Sequence, residues 1–243
     1  MPKLGRICLF VLDPRTLLTL CICFIMYVIK EWNLKTKPSS HLDNVASTVR
    51  YDFQITKTWD DKPVDHLPVN ISLVSHSDVG VKVLLKAPFF NDPVAPSGTP
   101  GEPFSHLWDY EVAEVFFLNE QNHYLEVELC PHGQHLVLLL RGYKELIKDM
   151  LPLEFKTIRV GNLWQGEAII PGVYFPKEIT KMNAYAIHGS GDERTYEALY
   201  PTTNGKYKEP DFHRLEYFKA IDFVTLLPSN VGERYKSSLW ELS

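Results

Sequence analysis

The sequence predicts an all-β fold: a two-sheet antiparallel β-sandwich, jelly-roll-like, preceded by an N-terminal hydrophobic helix. Three observations predict it. From Tyr51 onward, about ten short segments rich in Val, Ile, Leu, Phe and Tyr alternate with clusters of Pro, Gly, Asn and Asp. Few stretches hold a helical period long enough to compete with that pattern. An uncharged run, Thr16–Ile29, stands apart near the N-terminus.

That first element, TLLTLCICFIMYVI, is short for a bilayer crossing, which needs about twenty apolar residues. Extending it back to Ile7 places Asp13 and Arg15 at one end, where long side chains snorkel to the interface. Lys30 and Glu31 follow where a signal peptide would need a small-residue cleavage site, so residues 1–35 are expected to form a retained leader or membrane anchor through residues 7–29. Basic residues flank both ends and leave the orientation open. A polar linker (36–50), the sandwich (51–225) and a C-terminal tail (226–243) complete the expected division. The domain is membrane-anchored if the leader is retained and cytoplasmic otherwise.

Charge divides the same way. Of 25 basic and 30 acidic residues, the first fifty positions hold seven and three, a balance of +4, and the rest carries −9. An acidic domain lacks the basic footprint of a nucleic-acid binder. Three of the four cysteines (Cys8, Cys21, Cys23) lie in the leader, so the sandwich, with Cys130 alone, has no internal disulfide. The triplet Asn70-Ile71-Ser72 is a glycosylation acceptor only if the domain faces a lumen.

The expected strands, in order, are Tyr51–Lys57, Val69–Val74, Gly80–Lys86, Glu111–Leu118, Tyr124–Cys130, His135–Leu140, Glu154–Arg159, Trp164–Ile170, Asn183–His188 and Thr195–Leu199. Tyr143–Met150 reads as a short helix or turn. Residues 88–103 contain five prolines, which excludes a central strand and marks a long functional or mobile loop.

Period-two alternation assigns faces. Leu125, Val127 and Leu129 share one face and enter the core, while Tyr124, Glu126 and Glu128 form a polar face. In the preceding strand Val112, Phe116 and Leu118 share a face with Glu114, so Glu114 is a carboxylate in an apolar row. Burying it unpaired costs several kcal/mol or forces its neutralisation, so it needs a cation, hydrogen-bond donors or a ligand.

These residues carry a resemblance. The run Trp108-Asp109-Tyr110-Glu111-Val112-Ala113-Glu114-Val115-Phe116, the hairpin from Tyr124 to Glu128 with its turn Cys130-Pro131-His132-Gly133, and Trp164-Gln165-Gly166-Glu167-Ala168-Ile169-Ile170-Pro171 resemble, in order, the signature of family-9 carbohydrate-binding modules and their DOMON-like relatives. Asn183, Ala198-Leu199-Tyr200-Pro201-Thr202 and Phe212-His213-Arg214 continue it. From Asp52 on, the chain also resembles uncharacterised protein family 0462, whose members begin near that position, which implies that residues 1–50 are an added leader.

The resemblance implies that sugar is held between two aromatic side chains, here Trp108 and Tyr200, with Glu114 gripping hydroxyls. Such a ligand pairs its C–H face with an aromatic ring and its hydroxyls with a carboxylate. Tyr200 stands where the family usually has Trp, and no Arg is evident beside Ile187 and His188. Glu126 and Glu128 complete the ligand-binding candidates. With Glu111 and Glu114 they also assemble the carboxylates that a glycosidase or a calcium site requires.

Cys130, His132 and His135 are weak metal candidates, because Pro-His-Gly is a natural turn and no second ligand pair follows at zinc spacing. His188-Gly189-Ser190-Gly191-Asp192 reads as a polar loop rather than a catalytic triad. No nucleophile elbow, phosphate loop, HExxH or dinucleotide fingerprint is present, so no catalytic residue and no cofactor is assigned. The sequence therefore points to a non-catalytic sandwich that binds a saccharide or polyol. A protein-interaction module without a small-molecule ligand, then a carboxylate-dependent glycoside hydrolase, are the alternatives.

Overall fold

The computed structural model describes residues 48–76, 80–231 and 236–241. The hydrophobic segment expected to form an N-terminal helix lies outside these residues, and among them no helix is long and apolar enough to cross a membrane.

Two antiparallel sheets build the domain. The first runs β1 (Arg50–Ile55), β2 (Val69–His76), β3 (Gly80–Pro88), β9 (Leu163–Pro171), β8 (Glu154–Val160). The second runs β11 (Thr195–Ala198), β10 (Ile179–His188), β4 (Val112–Asn119), β5 (His123–Leu129), β6 (His135–Arg141), β7 (Glu145–Lys148), with the two-residue β12 (Lys219–Ala220) added to β10. All ten expected segments are strands, because each alternates apolar and polar residues across a sheet or is apolar on both faces.

The main core lies between the sheets. Ile71, Leu73, Val81, Val83 and Trp164 from the first sheet join Ala113, Val115, Phe117, Leu125 and Val127 from the second. Burial of side chains of this size stabilises by about 1.5–3 kcal/mol each.

Two expectations are corrected. Tyr143–Met150 is not a helix or a turn alone: Gly142 and Lys144, both at positive φ, close a tight loop, and β7 then pairs with β6 as the sheet's edge. An edge strand needs one partner and no buried face, so it lacks the periodicity that reveals the others. Arg141 Nε donates to Glu145 Oε2 at 3.0 Å across this hairpin.

The second correction concerns the face of β5 that carries Tyr124, Glu126 and Glu128, expected to be polar. It is buried beneath a second apolar layer in which Leu107, Phe212 and Phe218, from connecting segments, cover Val112, Phe116, Leu118, Tyr124, Tyr185 and Ile187. Phe212 stacks on Tyr185 with ring centroids 3.9 Å apart. The glutamates of that face are therefore largely buried.

Residues 226–231 also belong to the packed structure. Leu226 and Leu227 are buried in the main core. Asn230 accepts from the amide of Ile179 at 2.9 Å and donates to the Pro176 carbonyl at 2.8 Å, while its own carbonyl accepts from the Glu178 amide at 3.1 Å. Replacing this side chain leaves a buried donor and a buried acceptor unpaired, each costing about 1–3 kcal/mol. Asn230→Ala is expected to lower unfolding free energy by about 2 kcal/mol or more in urea titration; an unchanged midpoint would contradict the latch.

Candidate functional site

The register of β4 and β5 brings three carboxyl groups together. Glu114 lies directly opposite Glu128, and Phe116 opposite Glu126, so Glu126 sits diagonally from Glu114 on the same outward face. The three residues are 2%, 0% and 5% exposed for Glu114, Glu128 and Glu126. Neither oxygen of Glu128, nor Oε2 of Glu126, has a hydrogen-bond partner.

Burial sets their protonation. Desolvation pushes the Glu126 carboxyl up to about 8, against the lowering effect of the Lys144 charge. The same cause raises Glu114 and Glu128 well above the ordinary range, each further by the charge of its carboxylate neighbours. Arg194 pulls Glu114 the other way without reversing the direction. Two like charges this close in a dry environment cannot both ionise cheaply, so the cluster holds protons at neutral pH.

Above Glu114 and Glu126 opens a cavity of about 600 Å³. Trp108, 38% exposed, forms part of its wall. It rides on the one-turn 3-10 helix Leu107–Asp109, which buried Leu107 anchors in the outer apolar layer. Arg194 fastens that turn: its guanidinium donates to the carbonyls of Asp109 and Gly189 at 3.0 Å each and to that of Trp108. A planar fork engaged on several carbonyls is stiff, which holds the backbone of the Trp108 turn in place.

The remaining wall is partly aromatic, with Tyr196 and Phe212, and partly aliphatic, with Leu138, Leu140 and Ile187. Lys144 and Asp211 pair at 3.1 Å within the lining. His213 meets the Tyr124 hydroxyl through Nδ1 at 2.8 Å, and burial lowers it to about 4, so it is neutral.

Trp108, Glu114 and Glu126 thus share one cavity, and Glu128 lies opposite Glu114 without lining it. Tyr200 does not join them. It lines a separate recess with Thr56, Lys57 and Thr202, and packs against the main core. Asn183 accepts from the Tyr200 amide and donates to its carbonyl, both at 3.0 Å, which fastens the Tyr200 backbone to β10. The other aromatic side chains that line the Trp108 cavity are Tyr196 and Phe212. Glu111 points away as well: it accepts from the amides of Phe90 at 3.2 Å and Asn91 at 2.7 Å, anchoring the proline-rich loop, and burial raises it to about 7.

Cys130, His132 and His135 are not among the residues whose ligand atoms converge in the described structure; Cys130 and His135 are buried, and His132 lies beside Arg159 at 3.1 Å. Arg194, Lys144, Tyr196 and His213 escaped sequence reasoning. The only signal was the closing Phe212-His213 motif, read for its place in the chain and not for its chemistry.

The protonated cluster has a thermodynamic signature. Glu126 titrates near 4.5 in the unfolded chain and at about 8 in the fold, so the folded state keeps a proton that the unfolded chain releases. Stability from this group is fully present below about 4.5 and is lost as pH rises through about 8. Buried neutral His213 acts oppositely, but only between about 4 and 6.5. The melting temperature is therefore expected to fall between pH 6.5 and pH 8, and to fall less in Glu126→Gln; an equal fall in both proteins would contradict the assignment.

No family model matches the chain. The rat UPF0462 protein C4orf33 homolog is 55% identical over 196 residues, covering 78% of this chain and 96% of that protein. Among solved structures, a candidate carbohydrate-binding protein from Bacteroides uniformis aligns with a TM-score of 0.52 at 13% identity, covering 72% of this chain and 86% of its own. A family 9 carbohydrate-binding module from Caldicellulosiruptor kristjanssonii in complex with glucose aligns at 0.42 with 14% identity, covering 75% and 86%. The fold is thus shared with the Bacteroides protein, and by its similarity to the rat protein the chain belongs to the UPF0462 family.

Proposed function

We propose that the domain is a non-catalytic binding module for a neutral saccharide or polyol, held in the cavity between Trp108 and the carboxyl groups of Glu114 and Glu126. One observation carries the reading: an open indole and two buried carboxyl groups, whose desolvation favours the neutral acid, line the same cavity of about 600 Å³. That volume is in the ordinary range for small-ligand sites. A protonated carboxyl both donates and accepts, which matches the hydroxyl groups of a polyol better than an anion does. The C–H faces of a pyranose pack on Trp108, with Tyr196 and Phe212 offering further aromatic surface. The likeness to the Bacteroides uniformis protein supports the fold the reading needs; the cavity's chemistry supports the ligand class.

Glycoside hydrolysis is less well supported. It requires one ionised and one protonated carboxyl flanking the bond, whereas burial drives both cavity glutamates toward the neutral acid.

Calorimetric titration of the chain against neutral mono- and oligosaccharides, guided by a glycan array at pH 6, tests the proposal. Saturable binding to at least one sugar is expected. Trp108→Ala should weaken it at least tenfold, about 1.4 kcal/mol. Affinity should also decline as pH rises through about 8, when Glu126 loses the proton it donates. Binding to no saccharide, or binding indifferent to Trp108, would overturn it.

A further inference from the structure

A second cluster lies away from the cavity, where the β1–β2 loop of the first sheet reaches β10 and β11 of the second. His66 comes from that loop, His188 ends β10, and Glu197 lies in β11. Glu197 pairs with Ala186, so its side chain and that of His188 project from the same face of neighbouring strands. Glu197 is fully buried, while the His66 and His188 side chains keep 14% and 12% of their surface.

Two imidazoles converge on one carboxylate, the His188 contact being a hydrogen bond, and part of the cluster's hydrogen-bonding capacity is left unused. His188 Nε2 lies 2.9 Å and His66 Nε2 3.1 Å from the same oxygen, Glu197 Oε1. The His66 contact lacks hydrogen-bond geometry, so this buried ring nitrogen has no hydrogen-bond partner. Glu197 Oε2, also buried, has none either. Meanwhile His66 Nδ1 lies 2.9 Å from the carbonyl of Leu67. Facing an acceptor, Nδ1 must carry the proton, which leaves a lone pair on Nε2 in the neutral ring. That backbone carbonyl is the partner by which metal-ligating histidines are usually oriented.

The geometry points to a binding site for a divalent transition-metal ion of the zinc type, with His66 Nε2, His188 Nε2 and a Glu197 carboxylate oxygen as ligands. Two imidazoles and one carboxylate are a recognised zinc donor set that leaves a fourth position open. The ligand atoms all lie within 4.8 Å of one another. A tetrahedral zinc site with bonds of about 2.0–2.1 Å separates neighbouring ligand atoms by about 3.3 Å, close to the two nitrogen–oxygen distances. The unpartnered Glu197 oxygen supplies a second point of attachment or a hydrogen bond to a bound water. The partly exposed imidazoles leave an entry path.

The surroundings hold the ligands in place. Phe90 stacks on His188 at 3.6 Å with the rings nearly parallel, and meets His66 edge-on at 5.1 Å. Glu111 in turn anchors the Phe90 amide, so the proline-rich loop closes over one side of the cluster. An ion there would tie the β1–β2 loop to the β10–β11 edge and join the two sheets at that margin.

The test is titration of the reduced, chelator-treated full chain with Co²⁺, then Zn²⁺. One equivalent of Co²⁺ should produce visible d–d absorption without the thiolate charge-transfer band that Cys130 or the leader cysteines would give, and Zn²⁺ should abolish it. His66→Ala, His188→Ala and Glu197→Gln should each weaken binding at least tenfold, whereas His132→Ala should not. No stoichiometric binding by the wild-type chain would overturn the site, whatever the variants do. So would a thiolate-type spectrum, or full binding retained in a folded His66→Ala protein.

Discussion

Three glutamates side by side on the outer face of β4 and β5, with no lysine or arginine ion-paired to them among the described residues, constrain the rest of the domain. Carboxylates this crowded would be tolerable in water; under the layer of Leu107, Phe212 and Phe218 they are not. The fold accommodates them by keeping them protonated. What looks like an electrostatic fault in the sheet becomes a floor of neutral donors and acceptors beneath a cavity. Apolar residues of similar volume at these positions would carry no such desolvation cost.

Around that floor, rigidity comes from main-chain contacts. Arg194 spends its guanidinium on the carbonyls of the Trp108 turn and of Gly189, not on an ion pair with Glu114. Its charge still lowers Glu114, but no direct contact neutralises it. Asn183 does comparable work inside β10, fastening the chain at Tyr200. Both anchors use side chains to satisfy backbone groups in irregular segments, which lets loops far apart in sequence wall a single site.

The strands were legible because each alternates or is uniformly apolar over five or more residues, and Glu114 was legible because it interrupts an apolar row. Glu126 and Glu128 were not read as buried. Their alternation with Leu125 and Val127 is what a strand with one face in water shows, and the cover that dries that face is contributed by Phe212 and Phe218, far along the chain. Tyr200 illustrates a different limit: its motif has the right neighbours, but its side chain packs against the main core and lines another recess, which spacing does not encode. Lys144 was hidden in a hairpin whose edge strand lacks a pattern. His66, His188 and Glu197 are separated by more than a hundred residues at the widest, and only pairing of β10 with β11 under the β1–β2 loop brings them together.

The central claim is that Glu126 is a neutral acid in the folded domain, and its carboxyl carbon reports this directly. Following the glutamate δ-carbon resonances by ¹³C NMR against pH, with Glu126→Gln to assign the signal, should give a midpoint at about 8 for Glu126. A midpoint at about 4.5, the ordinary glutamate value, would show an ionised carboxylate at neutral pH and contradict the account.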